Sequence, residues 1–542
     1  MFCFQCEETQ NGSGCVKVGV CGKSAEVAGL SDLLIQVLKE LAAGAKWRRT
    51  LGTVEPTVSR FLYASLYATL TNVNFDPASY AEMICQAASL RDQLFLGAPA
   101  SQKAGLTVIA AKDPANLAKL GEQFSLGNSG GAHLEVVSAR ETALYGLKGL
   151  AAYLYHADKL GYRDEALWAF GAEVLALALD RNVSVEEWVS WALKVGEANF
   201  KAMELLDKAH TETFGHPEPT KVSRGFKPGP AILVSGHDLK ELASLLEQTK
   251  GQGVNVYTHG EMLPAHAYPG LKADHLVGHY GTAWPNQVKE FVNFPGAIVF
   301  NSNCLKKPDP SYIERTFTTG MTGWPGVEGL NAGQNGEIDF TPVINAAKKA
   351  GGFTQTQEGP YVLTGWGHNA VIKAAAKIID LVQRGLIKRF ILVGGCDGAK
   401  GSRSYYRELV QLAPKDTLIL TLACGKFRFI DLDLGDIEGV PRLLDIGQCN
   451  DAFSAVKIAL ALSEAFQLPI NDLPLSLVLS WYEQKACAIL LSLLHLGVKN
   501  IRLGPTPPAF IQPGLMAVLA KEFKLTPITN PKDDLAAMLQ GA

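Results

Sequence analysis

The amino-acid sequence predicts a multidomain protein of the α and α/β classes. An N-terminal helical-bundle domain is followed by two Rossmann-like α/β domains with parallel sheets. Two observations lead to this prediction: apolar residues recur at helical spacing before residue 210, and short β-branched runs alternate with helical stretches after residue 230. The chain has 542 residues, which is enough for several domains with large cores. We place the domains at residues 1–222, 223–358 and 359–542.

The helical-bundle domain is predicted from repeated apolar stripes. The first stripe has the spacing i, i+3, i+4, i+7, i+8 and i+11 and consists of Leu30, Leu33, Leu34, Val37, Leu38 and Leu41. A second stripe lies within residues 144–154, and a long charged helix is expected over residues 183–209. Residues 211–230 are rich in Pro, Gly and charge, so we interpret them as a linker.

The two α/β domains are predicted from seven short runs: AILVSG, VNVYTH, AIVFNS, YVLTGW, FILVGG, TLILTL and LSLVLS. Such runs between helical stretches are typical of strands buried on both faces of a parallel sheet. The region after residue 220 is long for a single sheet, so we expect two. The break between them is placed in the Gly- and Gln-rich residues 351–360.

Composition limits the compartment and the partners. The formal net charge of -3 and a pI of about 6.4 give no basic surface that would favour nucleic acid or an anionic membrane. The sequence shows neither a signal-peptide pattern nor an apolar run long enough to span a membrane. We therefore expect a cytoplasmic monomer that binds neither nucleic acid nor membrane. Ten cysteines in such a chain indicate metal or redox chemistry rather than disulfides.

Four of these cysteines lie at the start of the chain with the spacing C-x2-C-x8-C-x5-C, as Cys3, Cys6, Cys15 and Cys21. The segment is too polar and Gly-rich to build its own core, so a metal centre is expected to fold it. Tetrahedral zinc and a four-iron cluster both bind four Cys. The second pair is wider than a zinc knuckle, which favours iron–sulfur. Gly22-Lys23-Ser24 ends like a phosphate-binding loop, but Lys17 occupies the position of its first Gly.

Potential metal ligands follow the predicted strands. In order along the chain they are His237, Glu261, Cys304, Cys396, Cys424, Cys449 and Glu483. Open parallel sheets bind ligands at the carboxyl ends of their strands, so these side chains are expected to converge. Each also has an ordinary interpretation: a Cys as core filler, His237 as a helix cap, a Glu as a solvated or Lys-paired carboxylate. Together they suit a larger cluster with both sulfur and oxygen ligands.

The motifs MFCFQCEETQ, SGHDL, HGEMLPAHAYP, NSNC, VGGCDG, LACGKFRF, DIGQCND and SWYEQKA resemble those of the hybrid cluster protein family, also called prismane proteins or hydroxylamine reductases. The resemblance runs from Met1 into the C-terminal domain. It implies a [4Fe-4S] cluster on Cys3, Cys6, Cys15 and Cys21. It also implies a hybrid [4Fe-2O-2S] cluster between the domains. The ligands of the hybrid cluster would be His237, Glu261, Cys304, Cys396, Cys424, Cys449 and Glu483, with Cys396 in the position of the family's persulfide.

The resemblance implies an oxidoreductase that reduces hydroxylamine to ammonia and water. An external electron-donor reductase would deliver electrons through the N-terminal cluster. The predicted catalytic residues are Glu483, Lys485, His237 and Cys396; Lys485 is either a proton donor or the charge partner of Glu483. Alternatives are nitric oxide reduction or protein S-nitrosylation at the same cluster, a redox relay or nitrosative-stress sensor without catalysis, and an enzyme similar to nickel–iron carbon monoxide dehydrogenase.

Three further features are weaker. The stretch Gly365–Ala370 has the G-x-G-x-x-A form of a dinucleotide-binding turn, but the expected acidic residue is displaced by Cys396. We interpret its glycines as close helix–strand packing. Cys85 lies in a helical pattern and is predicted to be core. Cys487 lies one turn after Glu483 and is predicted to be ordinary packing, although it could approach the cluster.

Overall fold

A computed structural model describes residues 3–125, 133–333 and 336–540. The N-terminal region is helical. Its helices are α1 (Ala25–Thr50), α2 (Pro56–Ala68), α3 (Pro77–Leu94), α4 (Ala100–Lys103), α5 (Pro114–Gly121), α6 (Leu134–Lys159), α7 (Glu165–Leu177) and α8 (Val185–Phe214). The predicted stripe lies on α1, and all six of its side chains are fully buried. Ser24 caps α1 by accepting a hydrogen bond from the Val27 amide.

The middle of the chain forms a six-stranded parallel sheet with its helices. The elements are β2 (Ala231–Ser235), α9 (Leu239–Thr249), β3 (Asn255–His259), β4 (Leu276–His279), α10 (Gln287–Phe291), β5 (Ala297–Phe300), β6 (Thr316–Thr319), β7 (Glu328–Leu330) and α11 (Thr341–Ala350). The strand order in the sheet is β4-β3-β2-β5-β6-β7. Ile232 and Val234 pack into one apolar cluster with α9 and α11, whereas Leu233 packs on the other face with Phe291. Burial on both faces explains the continuous apolar strand.

A separate two-stranded antiparallel sheet pairs β1 (Thr220–Ser223), which comes before the first parallel sheet in the chain, with β8 (Tyr361–Thr364), which comes after it. Two predictions are corrected here. The interpretation of residues 211–230 as a linker is wrong in part, because α8 continues to Phe214 and residues 220–223, in the middle of the range, form β1. The run YVLTGW forms a strand, but not one of a parallel sheet, because the strand partner of β8 within the described residues is β1, which runs antiparallel to it.

The second six-stranded parallel sheet has the order β13-β10-β9-β14-β15-β16. The elements of this region are α12 (His368–Lys373), α13 (Ala375–Gln383), β9 (Arg389–Gly395), α14 (Ser404–Leu412), β10 (Thr417–Thr421), β11 (Asp436–Ile437), β12 (Val440–Pro441), β13 (Leu443–Asp445), α15 (Ala452–Phe466), β14 (Leu475–Ser480), α16 (Gln484–His495), β15 (Ile501–Gly504), α17 (Pro513–Phe523), β16 (Thr526–Pro527) and α18 (Pro531–Leu539). The predicted fold class, with a helical region and two parallel sheets, is confirmed.

The helical region and the second sheet share one apolar core. Leu392 of β9 and Leu491 of α16 belong to the same buried cluster as Leu147 and Val195 of the N-terminal helices. The opposite face of the second sheet packs Ile391 and Val393 against α14 and α18. The domain boundaries at residues 222/223 and 358/359 remain predictions. No described helix has both the length and the hydropathy that a membrane span requires.

Candidate metal centre

The first candidate site is the N-terminal segment, which is almost without regular structure. Cys3 and Cys15 face each other in an isolated antiparallel bridge, in which the Cys15 amide donates to the Cys3 carbonyl at 2.8 Å. Cys6 and Cys15 are buried, Cys3 and Cys21 are half-buried, and all four thiols are free. The structure therefore brings the ends of this segment together without a disulfide.

Electrostatics show that these thiols lie near one another. Burial raises the pKa of Cys6 well above its usual value, and the charges of Cys21 and Cys3 raise it further. Burial also raises the pKa of Cys21 to about 11, against the lowering effect of the Lys23 ammonium. Thiols in such an environment stay protonated unless a cation stabilises the thiolates, and metal ions do so. Lys23 is itself buried beside these cysteines, so its location differs from that of a phosphate-binding lysine.

The second candidate site lies where the two parallel sheets face each other. From the first sheet come residues that follow β2, β3 and β5, and from the second sheet residues that follow β9, β10, β13 and β14. They are His237, Glu261, Cys304, Cys396, Cys424, Cys449 and Glu483. Cys304 and Cys396 are half-buried, and the other five are buried. All seven therefore lie at carboxyl ends of strands, as the sequence predicted.

Three of the seven already form a compact group. Donor atoms of His237, Glu261 and Cys449 lie within 4.8 Å of one another. The His237 Nε2 is 3.7 Å from Glu261 Oε2, and that oxygen accepts the Cys449 amide at 2.7 Å. The second oxygen, Glu261 Oε1, is buried and has no hydrogen-bond partner in the described part of the chain. A buried carboxylate oxygen without a partner is costly, and a metal ion would satisfy it.

The hydrogen bonds of Ser302 select the tautomer of His237. The Ser302 hydroxyl donates to the Asn303 carbonyl at 3.0 Å, and its oxygen lies 2.8 Å from His237 Nδ1. With the single hydroxyl proton engaged by Asn303, the hydrogen bond to His237 is complete when Nδ1 carries the proton. Nε2 is then unprotonated and faces Glu261. This arrangement is the one in which a metal-binding histidine donates its other N–H to a neighbour.

The remaining thiols are coupled to this group. A hydrogen bond with Cys304 raises the pKa of Cys424 well above its usual value, and burial and Glu261 raise it further. Burial raises the pKa of Cys396, as do the charges of Glu483 and Cys304. Thiols from both sheets therefore lie within electrostatic reach of one another and of both carboxylates. The structure brings the seven predicted residues together, and their assignment as ligands stays a prediction.

Lys485 is fully buried beside the second candidate site. Burial lowers the pKa of its ammonium, but the charges of Cys449 and Glu483 more than offset that effect, so the pKa is raised. Its Nζ lies 3.4 Å from Asn450 Oδ1. The Glu483 carboxylate accepts the Lys485 amide at 2.8 Å and so caps α16. Lys485 is therefore a protonated group beside two predicted ligands.

Two aromatic residues that the sequence did not indicate lie between the candidate sites. Tyr482 and Trp284 have ring centroids 4.5 Å apart, and they pack in one buried cluster with Cys6 and Cys424. The Tyr482 hydroxyl has no hydrogen-bond partner among the described residues. Tyr482 precedes Glu483 directly, which is the one signal that could have identified it. Ser302 lies within the motif NSNC, which could have identified it, whereas Trp284 lies in none of the motifs.

The structure also places the three weaker sequence features, which are the glycines of residues 365–370, Cys487 and Cys85. Gly365 packs against Glu218 and Ala267, because a Cβ there would lie 2.3 Å from the Glu218 carbonyl oxygen and 2.6 Å from the Ala267 Cβ. Its strand β8 lies outside the parallel sheets, so the setting differs from that of a dinucleotide-binding turn. Cys487 packs against the main apolar core, as predicted. Cys85 is half-buried rather than core, so that prediction is wrong.

The donor sets fit iron–sulfur centres in their chemistry. The first has four thiols without a disulfide. The second combines thiols with an unprotonated imidazole nitrogen and a carboxylate oxygen that has no protein partner. Such a set binds a metal through both sulfur and harder oxygen and nitrogen ligands.

Comparisons with known proteins give the family. Residues 1–536 match the Prismane/CO dehydrogenase family. The chain is similar to the hydroxylamine reductases of Maridesulfovibrio salexigens (52% identical over 541 residues) and Syntrophobacter fumaroxidans (50% identical over 546 residues). Each comparison covers 99% of this chain and 100% of the relative.

Solved structures show the same fold at low identity. A carbon monoxide dehydrogenase from Thermococcus sp. AM4 superposes with a TM-score of 0.56 at 15% identity and covers 99% of this chain and 90% of that chain. A chain from a solved structure of acetyl-CoA synthase/carbon monoxide dehydrogenase gives 0.57 at 16% identity, with 99% of this chain and 87% of that chain covered. The match to the family over residues 1–536 and the relatives about 50% identical confirm the resemblance that the motifs indicated, and the chain belongs to the Prismane/CO dehydrogenase family.

Proposed function

We propose that this protein is a hydroxylamine reductase with two iron–sulfur centres. The reaction joins hydroxylamine, two electrons and two protons and yields ammonia and water. The observation that carries the proposal is the group formed by His237, Glu261 and Cys449, whose donor atoms lie within 4.8 Å of one another at the facing rims of two sheets. Relatives about half identical over their whole length are named for this activity.

The second centre is proposed to be the hybrid [4Fe-2O-2S] cluster, held by His237, Glu261, Cys304, Cys396, Cys424, Cys449 and Glu483. Cys396 is the proposed persulfide position. When bound, such a cluster supplies electrons and an iron that can accept a substrate atom as a Lewis acid. The role of the protein is to fix the ligands: Ser302 orients the imidazole of His237, and the Cys449 amide orients the Glu261 carboxylate.

Proton delivery is proposed for Lys485. Its Nζ is buried beside Cys449 and Glu483, whose charges keep the pKa of the ammonium above its usual value. The proton is therefore held at Nζ until negative charge develops on the substrate oxygen or nitrogen nearby. Burial also raises the pKa of Glu483, although Lys485 opposes that effect, so the carboxyl is a second carrier. His237 contributes mainly as a ligand, since its Nδ1 proton is engaged by Ser302.

Electrons are proposed to enter at the [4Fe-4S] cluster on Cys3, Cys6, Cys15 and Cys21. An external reductase would donate them, because Cys3 and Cys21 are the half-buried, more accessible members of that set. Tyr482 and Trp284 fill the space between Cys6 and Cys424 and so provide a continuous packed path to the second centre. The cytoplasm, where thiols stay reduced, suits such centres.

The test is anaerobic turnover of hydroxylamine with reduced viologen by wild type and Cys449→Ser. Wild type is expected to hold about eight irons in two centres that electron paramagnetic resonance distinguishes. Cys449→Ser is expected to lose the second centre and to reduce turnover more than about 100-fold, beyond the usual effect of losing a residue that only supports a ligand. Cys487→Ser is the matched control, since it removes a thiol that packs in the apolar core.

Wild-type protein with both centres that leaves hydroxylamine untouched would overturn the proposal. Unchanged spectra of the reduced protein on adding hydroxylamine would instead favour a redox relay.

A further inference from the structure

A fully buried ion pair joins the N-terminal segment to the second sheet. The Arg403 guanidinium donates from Nη2 to the Glu7 carboxylate at 2.7 Å, and both side chains are 0% exposed. Glu7 follows Cys6 directly, and Arg403 directly precedes α14 in the second sheet region. The pair therefore connects the surroundings of the first candidate centre to those of the second.

The other hydrogen bonds of Arg403 reach the second candidate centre. Its Nη1 donates to the carbonyl of Cys396 at 2.9 Å, and its Nη2 also donates to the carbonyl of Trp481 at 3.0 Å. Cys396 is itself a predicted ligand, and Trp481 lies two residues before Glu483. One planar guanidinium thus holds two backbone carbonyls and the Glu7 carboxylate at fixed distances, which a lysine ammonium cannot reproduce.

Glu7 makes further hydrogen bonds to the second sheet region. Its Oε1 accepts from Lys400 Nζ at 2.6 Å and from the Thr506 hydroxyl at 2.9 Å. Its amide donates to the Tyr482 carbonyl at 3.1 Å, which places it beside the aromatic pair between the two centres. Every bond leads from the N-terminal segment to the second sheet region, so Glu7 acts as an anchor between them.

The chain near Arg403 is shaped for this side chain. A Cβ at Gly398 would lie 2.4 Å from Arg403 Nε and 2.7 Å from its Nη2, so a larger residue would displace the guanidinium. The neighbouring Ala399 amide donates to the carboxylate of Glu8, which adds a second contact between the same two segments. Contacts from the N-terminal segment and from residues 398–399 therefore both restrict the position of the Glu7–Arg403 ion pair.

We propose that Glu7 and Arg403 are positioning residues that fix the distance between the two centres and thereby the rate of electron transfer from the first to the second. This inference rests on the proposed function, in which one electron at a time leaves the first cluster and arrives at the second, with no bond formed or broken. A buried ion pair is a poor source of net stability, because desolvation of both charges offsets their attraction. Its directional, charge-assisted hydrogen bonds instead specify relative position.

The test compares two variants with a matched control. Arg403→Lys keeps the charge but loses the planar, multidentate guanidinium. The double variant Glu7→Gln/Arg403→Met removes both charges of the fully buried pair at similar volume, and only the part-exposed Lys400 ammonium loses a carboxylate partner. Arg407→Met is the control, because it removes an exposed arginine of α14 whose partner is Asp431. The metal-loaded proteins are mixed anaerobically with reduced viologen, frozen at set times and measured by electron paramagnetic resonance.

The first centre is expected to become reduced at the wild-type rate in every protein. Transfer to the second centre is expected to be slower by about tenfold or more in both variants and unchanged in the control, since small displacements have large effects on a reacting geometry. Hydrogen exchange of residues 3–24 in the same samples is expected to increase in the two variants alone. This second readout needs no turnover and no second centre.

Wild-type transfer rates and wild-type exchange in the double variant would overturn the proposal. If the double variant lost its centres, Thr506→Val would decide instead, because it deletes a single hydrogen bond to Glu7 and is expected to slow transfer to a smaller degree. Failure of the proposed function has a different signature: wild type would transfer electrons between its centres but leave hydroxylamine unreduced.

Discussion

The two candidate centres are built in opposite ways. The first uses four thiols from one short segment with little regular structure, in which Cys3 and Cys15 meet in a single backbone bridge. The second uses seven residues that are far apart in the sequence, each placed at the end of a buried strand. The first site therefore depends on what binds it and on what it docks against, whereas the fold itself positions the second.

This difference has an energetic side. Strands of the second sheet pair along their length and pack on both faces, so the positions of Cys396 and Cys424 follow from the core. From residue 3 onward, where the structure describes the chain, the large buried apolar side chain of the N-terminal segment is Phe4, which packs against Phe510. Its other attachments are polar, such as the bond from the Glu7 amide to Tyr482. We therefore expect metal binding to contribute a large part of the order of this segment.

Removal of iron is the strongest way to break this comparison. We expect anaerobic chelation to raise hydrogen exchange of residues 3–24 on the order of 100-fold, while the amides of β9 and β14 keep their protection, because the sheet does not need the metal. Exchange measured by mass spectrometry on loaded and iron-free protein checks this. Equal protection of both regions after chelation would show that the segment is ordered by its contacts alone.

Ser302→Ala tests whether the Ser302 hydroxyl positions His237 at the second centre. Without the hydroxyl, Nδ1 of His237 loses the neighbour at 2.8 Å that fixes its tautomer. Groups that support a metal ligand in this way typically change affinity or activity by about 10–100-fold. We expect a loss of that size in hydroxylamine turnover and a changed resonance spectrum of the second centre, with the first centre unaffected. Ser463→Ala, at the end of α15, is the control. Wild-type spectra in Ser302→Ala would refute this role for the hydroxyl.

The same contrast explains what the sequence could predict. The ends of buried strands are visible as local patterns, so the seven candidate residues could be placed at strand ends from the sequence, and parallel topology brings them to one region; their role as ligands stays a prediction. YVLTGW was misplaced because a β-branched run indicates a strand but not its partner, and β8 pairs with β1 from far along the chain. Arg403, Ser302 and Trp284 were missed because their roles arise from contacts between distant segments.

Tyr482 tests the path between the two centres. Tyr482→Phe removes a buried hydroxyl without a partner and keeps the ring, so stability is expected to stay equal or rise by about 1 kcal/mol, with unchanged electron transfer. Tyr482→Leu removes the ring that stacks on Trp284 and is expected to cost about 2 kcal/mol and to slow transfer. Thermal unfolding and rapid-freeze resonance measure the two effects. Equal behaviour of both variants would show that the ring has no part in the path.

Asp207 gives the smallest expected effect and tests the helical wall behind the second site. Burial raises the pKa of this carboxyl to about 7, and the charge of Asp451 acts in the same direction. A folded pKa above the unfolded value means that the folded state binds the proton more tightly, so stability falls as pH rises from about 4 to about 7.

Asp207→Asn removes that dependence. The variant is expected to match wild type near pH 4 and to exceed it by about 1–2 kcal/mol at pH 8, less than the full shift implies because the side chain is 13% exposed. Thermal melts across this range measure it, with the exposed Asp274→Asn as control. If the difference in stability between variant and wild type stayed constant with pH, the pKa of Asp207 would be the same in the folded and unfolded states. A partner such as His368, 3.6 Å away, would then compensate the burial of the carboxylate beside Asp451.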